Sequence, residues 1–208
     1  MKVLFRSRGF IGKHQQEGLS SRVPPGQYVT ADFPVLSAGP TPHTPLEQWT
    51  FEVNGLVCEP IHWSWAEFQQ LPSRKYTVDI HCVTKWTKLD TQWEGVSIDT
   101  LLEIAGLDPK AHFVLAYSDG GYSTNIPLDE MINDKAFIAY NYAGAPLPAE
   151  HGGPARLVVP ALYFWKSAKW VRGLTLMEKN KLGFWESLGY NNHGDPWKEE
   201  RYFGDRTD

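Results

Sequence analysis

Hydrophobic positions along this chain alternate more often than they recur at helical spacing. Tyr76, Val78 and Ile80 are apolar at every second residue, the pattern of a strand with one buried face. Residues 113–117, 136–140, 156–159 and 170–177 are further strand candidates. The helical period is confined to two places. Ile98, Leu101, Leu102 and Ala105 share one helical face, and Gly106 follows as a stop. Ser64 with Glu67 forms a capping box, with a staple between Trp63 and Phe68, before Leu71 and Pro72 halt the helix over 64–70. Residues 49–57 predict a hairpin, with Asn54-Gly55 in its tight turn. Prolines recur through 33–42, which excludes a helix or a central strand there and leaves a segment that wanders on the surface or lines something. Strands outnumber helices, so the chain is predicted to be a mixed α+β fold, mostly β, in a single domain.

Residues 1–23 are polar and predict a flexible lead-in, closed by the turn signal Pro24-Pro25-Gly26, with the domain over 24–208. A chain of 208 residues that is 42% hydrophobic can bury one substantial core. A net charge of -4 argues against a general nucleic-acid binder, which needs a basic excess to neutralise phosphates. No stretch is apolar for long enough to span a bilayer. The opening MKVLFRSRGFIGKHQQEG has neither an apolar core of a signal peptide nor a twin-arginine pair. A soluble, unexported, cytoplasmic protein is expected. Nine Trp, nine Tyr and ten Phe residues, several beside glycine or proline, predict either aromatic-walled clefts or an irregular core filled by rings.

The candidate chemistry centres on three places. Cys82 ends the strand through Ile80, where a thiol can reach a cofactor or simply fill space as a small hydrophobe. The run His151-Gly152-Gly153-Pro154-Ala155-Arg156 feeds an arginine into a Val-rich strand. Its glycines permit close approach to a ligand, and its guanidinium is either an anion-binding fork or a surface salt-bridge partner. Lys166 and Lys169 alternate with aromatic and small residues over 163–170, as an anionic cofactor or a solvated strand edge would require. Cys58 and Cys82 are too few for a disulfide scaffold, though they could pair with each other. The histidines at 14, 43, 62, 81, 112, 151 and 193 form no metal-ligand spacing, which sets a zinc hydrolase aside.

HCVTKW (81–86), Trp93-Glu94-Gly95-Val96, residues 122–128, HGGPARLVVP (151–160) and SAKW (167–170) occur in an order and spacing that resemble the molybdopterin-binding domain of the sulfite oxidase family. The resemblance runs from about Pro24 to Trp197. It implies molybdenum with molybdopterin as cofactor, Cys82 as the protein's metal ligand, and pterin contacts from His151, Arg156, Ser167, Ala168 and Lys169. It also places Leu36, Ser37 and Ala38 along the cofactor, with Ser118 as a further contact by position. Cys58 is left to packing. Tyr190 falls where sulfite oxidases carry an active-site tyrosine, though packing explains a tyrosine there equally. The implied reaction is oxygen-atom transfer to or from a small S- or N-centred substrate, the metal cycling between Mo(VI) and Mo(IV).

Two departures qualify this. The position aligned with the sulfite-binding arginine is Leu36, which argues against sulfite binding. The compact form of the chain is closer to bacterial members that reduce S-oxides or N-oxides, although the sequence does not fix the direction of transfer. The chain also has no CxxCH motif, so no haem is expected and electrons would pass through a separate protein or carrier. With no dimerisation domain in the sequence, a monomer is expected. The competing readings are a family member without cofactor and an aromatic-rich carbohydrate- or protein-binding module.

Overall fold

The computed structural model describes residues 21–205. Most of the expected flexible lead-in, residues 1–20, lies outside the described residues, but its last part is anchored. Arg22 lies 2.6 Å from both Asp79 and Asp90, and Val23 is buried. The packed chain therefore begins ahead of the boundary expected at residue 24.

Strand β1 (Tyr28–Val29) is followed by β2 (Thr50–Gly55), β3 (Ile61–Ser64) and the single-turn helix α1 (Trp65–Phe68). The capping box forms as predicted: the Glu67 amide donates to Ser64 Oγ, and the Glu67 carboxylate accepts from the Ser64 amide at 2.8 Å. Next come β4 (Arg74–His81), β5 (Trp86–Ser97) and α2 (Ile98–Ala105). Helix α2 is capped by Ser97, buries its four predicted apolar residues and ends at Gly106 with φ +68°. The remaining strands are β6 (Phe113–Ser118), β7 (Ser123–Pro127), β8 (Phe137–Tyr142), β9 (Ala145–Pro146), β10 (Arg156–Val158) and β11 (Val171–Met177), and α3 (Phe184–Ser187) comes last. The mixed, mostly β single domain read from the sequence is what folds.

Two sheets share the core. One is ordered β3-β2-β11-β6-β7 and is antiparallel except where β2 lies beside β11. The other runs β1-β5-β8-β10, with β4 also on β5 and β9 on β8. Phe51, Val53, Val114 and Leu174 of the first sheet meet Ile138, Tyr140 and Leu157 of the second, together with α2. Alternate residues of β8 and β10, namely Phe137, Ala139 and Val158, face the other way into a second cluster with Ile80, Cys82, Trp86 and Trp93. Because the six-stranded sheet is covered on both faces, Leu157 and Val158 of β10 and Val159 after them are consecutive buried apolar residues rather than an alternation. The second cluster forms the floor of the candidate site.

The hairpin expected over 49–57 is corrected. Asn54 and Gly55 are not a turn but the end of β2, paired in parallel with Thr175 and Leu176 of β11. The antiparallel partner of β2 is β3. Gly55 is required because a Cβ there would lie 2.3 Å from the Leu176 carbonyl oxygen.

Candidate functional site

Cys82 sits at the turn between β4 and β5. The Lys85 amide donates to its carbonyl at 2.9 Å, its own amide donates to the Trp86 carbonyl at 2.8 Å, and Lys85 takes φ +77° to close the turn. Three further groups hold this turn from outside. Gln27 Nε2 donates to the Cys82 carbonyl at 3.2 Å, the Tyr28 amide to that of Lys85 at 2.9 Å, and Arg201 Nη1 to that of Val83 at 2.6 Å. The thiol is 7% exposed and lies 3.1 Å from Thr84 Oγ1. Burial pushes its pKa up, while the Thr84 hydroxyl and nearby Arg201 work against that rise.

The turn opens on a cleft of about 670 Å³. The irregular segment 33–42 forms one side, Asp119, Gly120 and Tyr122 another, and Phe164, Trp165, Trp170, Trp185 and Tyr190 make an aromatic wall. Arg156 and Lys169 also line it, and neither is in a salt bridge among the described residues. Arg156 is 1% exposed. Its guanidinium donates to the carbonyls of His151 and Ser167, both at 2.8 Å, and lies 4.1 Å from the centroid of the Phe164 ring. Burial without a counter-charge pushes its pKa down to about 9. Lys169 donates to the carbonyls of Leu36 and Glu150 at 2.8 and 2.7 Å, and burial followed by the nearby Arg156 lowers it to about 8.

This donor set fits molybdenum with molybdopterin on two counts. Two cations held in one cleft with no carboxylate partner favour an anionic group such as a phosphate. Among the described residues no three His, Cys, Asp or Glu side chains converge as a metal site, so a metal at Cys82 would need most of its ligands from a cofactor. A soft thiolate suits a metal already carried on dithiolene sulfurs.

Of the residues read from the sequence, Leu36, Ser37, Ala38, Cys82, Arg156, Ser167, Lys169 and Tyr190 are brought together as lining of this cleft. Ser118, His151 and Ala168 are not lining residues. Ser118 ends β6 with a buried Oγ that has no partner. His151 stands behind Phe33, the rings stacked at 3.9 Å, with Nδ1 buried and likewise without a partner. The Ala168 side chain belongs to the main core. The roles of Gly152 and Gly153 are also corrected. A Cβ at Gly152 would lie 2.9 Å from Lys169 Cβ, and one at Gly153 would lie 2.1 Å from the Leu147 carbonyl oxygen, so the chain's own packing requires them rather than a ligand.

Gln27, Phe33, Trp165, Trp185 and Arg201 belong to the site or its support and carry no signal that sequence reading could use. They come from segments far apart in the chain, and only the tertiary fold assembles them. Cys58 is corrected as well. It is a free, exposed thiol in the connection after β2, not a packing residue, and Cys82 is likewise free. Cys58→Ala should change stability by less than about 0.5 kcal/mol in a urea titration, as for other exposed positions.

Comparison with known proteins places the chain among relatives. The family model "Oxidoreductase molybdopterin binding domain" matches residues 38–185. The uncharacterized oxidoreductase YuiH of Bacillus subtilis (strain 168) is 43% identical over 197 residues, covering 94% of this chain and 100% of that protein. A putative protein-methionine-sulfoxide reductase subunit, YedZ1, of Azospira oryzae is 30% identical, covering 69% of this chain and 54% of the relative. The methionine-sulfoxide reductase catalytic subunit MsrP of Pseudomonas syringae pv. tomato is 29% identical over 71% of this chain. This chain spans 49% of that relative's length. The sulfane dehydrogenase SoxCD of Paracoccus pantotrophus shares the fold at a TM-score of 0.61 and 24% identity, over 67% of this chain and 40% of that one.

Proposed function

The chain belongs to the oxidoreductase molybdopterin binding domain family, as a molybdopterin oxidoreductase of the sulfite oxidase type, and from that premise we propose that it reduces a small neutral S-oxide. The single observation that carries this reading is Cys82, a thiol on a clamped turn that opens into a cleft holding two uncompensated cations. Two relatives named as methionine-sulfoxide reductase subunits support the substrate class. The absence of a cation at Leu36 supports a neutral substrate over sulfite.

Bound in the cleft, molybdenum with molybdopterin would supply two-electron oxygen-atom exchange. The chain's own residues do the rest. Cys82 would hold the metal as a thiolate, and Thr84 would donate its hydroxyl hydrogen to the sulfur once the thiol proton is lost. Arg156 and Lys169 would hold the cofactor's phosphate. Ser167, the backbone of Ala168 and the 36–38 segment would line the pterin, with Ser118 and His151 standing behind that lining. Burial, then Tyr202 and Cys82, raise the Tyr190 pKa, so its phenol stays protonated as a hydrogen-bond donor to the substrate oxygen. Reduction of the S-oxide consumes two electrons and two protons and releases a thioether and water.

The electrons would come from a separate redox protein or carrier, without haem in this chain, and the protein would work as a cytoplasmic monomer. Among the described residues no helix is long and apolar enough to cross a membrane. Metal and pterin analysis of protein from a host that makes the cofactor should give near one of each per chain. Anaerobic assay with reduced viologen should then show turnover of methionine sulfoxide or dimethyl sulfoxide. Loaded protein that oxidises sulfite and leaves both S-oxides untouched would overturn the substrate class.

A further inference from the structure

The aromatic wall of the cleft comes from separate segments, and one buried ion pair ties two of them together. Trp165 and Lys166 are neighbours in the turn Phe164–Lys166, and Trp185 and Glu186 are neighbours in α3. Each pair places its tryptophan in the cleft lining and its charged residue in the interior. Lys166 Nζ lies 2.7 Å from Glu186 Oε1, with both side chains fully buried. The same Nζ donates to the carbonyls of Asn125 and Asn192 at 2.7 and 2.8 Å. Glu186 Oε1 accepts from Trp165 Nε1 at 3.0 Å and from Thr124 Oγ1 at 2.8 Å. Tyr190 meets both tryptophans, its ring centroid 5.2 Å from Trp165 in an edge contact and 4.9 Å from Trp185.

A buried ion pair is a poor source of stability, because desolvation of two charges offsets their attraction and an apolar pair of similar volume does as well. The geometric consequence of this one is more specific. Its partners are a wall tryptophan, the carbonyl two residues after Tyr190, and the β7 strand behind them. We propose that Lys166 and Glu186 are positioning residues that hold Trp165, Trp185 and Tyr190 in register in the cleft, and so set how substrate is seated. The kinetic part of this rests on the S-oxide reading above; the positional part does not.

The double variant Lys166→Met/Glu186→Leu removes both charges at similar volume, and Glu186→Gln keeps an acceptor for Trp165 while removing one charge. Near-ultraviolet circular dichroism of cofactor-free protein reports the packing of the tryptophans without any turnover. The double variant should lose the part of that aromatic signal that Trp165, Trp185 and Tyr190 contribute, with an unchanged far-ultraviolet spectrum. Once loaded, its KM for the S-oxide should rise about tenfold, with metal content kept and kcat less affected. If the double variant does not fold, Glu186→Gln should show the same two changes in smaller measure. A folded variant with the wild-type aromatic spectrum and KM would overturn the proposal. Should wild-type protein turn over no S-oxide, the functional reading fails and the spectrum alone decides the positioning.

Discussion

Cys82→Ala will fold, and will show no turnover above background. The thiol is 7% exposed and its loss removes one sulfur atom from the second apolar cluster, which costs about 1 kcal/mol at most. The turn itself is held by backbone bonds from Lys85 and Trp86, and by Gln27, Tyr28 and Arg201, none of which uses the side chain of residue 82. Arg156 and Lys169 remain to bind the cofactor's anionic end, so pterin should still be recovered with the variant. What is lost is the soft, charge-donating ligand. Cys82→Ser preserves a hydrogen bond to Thr84 but presents a hard oxygen in place of sulfur, and should be equally inactive. The check is turnover with reduced viologen, alongside metal and pterin content and the Mo(V) resonance signal. Wild-type turnover and an unchanged signal in the alanine variant would remove Cys82 from the metal.

Local chemistry made part of this fold legible and distant contacts hid the rest. The α1 capping box and the α2 stripe depend on residues three or four apart, so Ser64 with Glu67, and Ile98 with Leu101, could be read directly. Asn54-Gly55 misleads because its local signal is a turn, whereas the positive φ of Gly55 serves contact with Leu176, far along the chain. Strand β5 was missed for a related reason. Its polar Thr87 and Thr91 are buried, Thr87 donating to Gln27 and Thr91 to the Val78 carbonyl, and neither partner is visible to a periodicity count. The site divides in the same way. Cys82 and Arg156 stand at ends of strands that alternation or an apolar run reveals. Trp185 sits in the single-turn helix α3, which the Lys166–Glu186 pair ties to the interior, and Arg201 in an irregular segment near the C-terminus, from which it reaches the Val83 carbonyl.

Arg156→Met will cost the protein its cofactor while leaving the cofactor-free fold nearly as stable as wild type. Two effects oppose each other in the empty cleft. The guanidinium gives two 2.8 Å hydrogen bonds to the carbonyls of His151 and Ser167, and losing donors to buried carbonyls costs about 1 to 3 kcal/mol each. Against this, the charge is fully buried with no carboxylate in a salt bridge, and a pKa pushed down to about 9 measures how strongly the cleft opposes it. Replacing a buried charge by an apolar side chain of similar volume is often neutral for that reason. In the loaded protein the balance is different, because an anion beside Arg156 relieves the burial penalty and its binding adds stability to the folded state. The variant should therefore show little change in Tm without cofactor, a much smaller rise in Tm on loading, and at least tenfold less retained pterin after gel filtration. Lys169→Met, whose side chain is only partly buried, should show the same loss in weaker form. A Tm that falls equally with and without cofactor, at full pterin retention, would make Arg156 a structural residue and leave Lys169 to carry the anion.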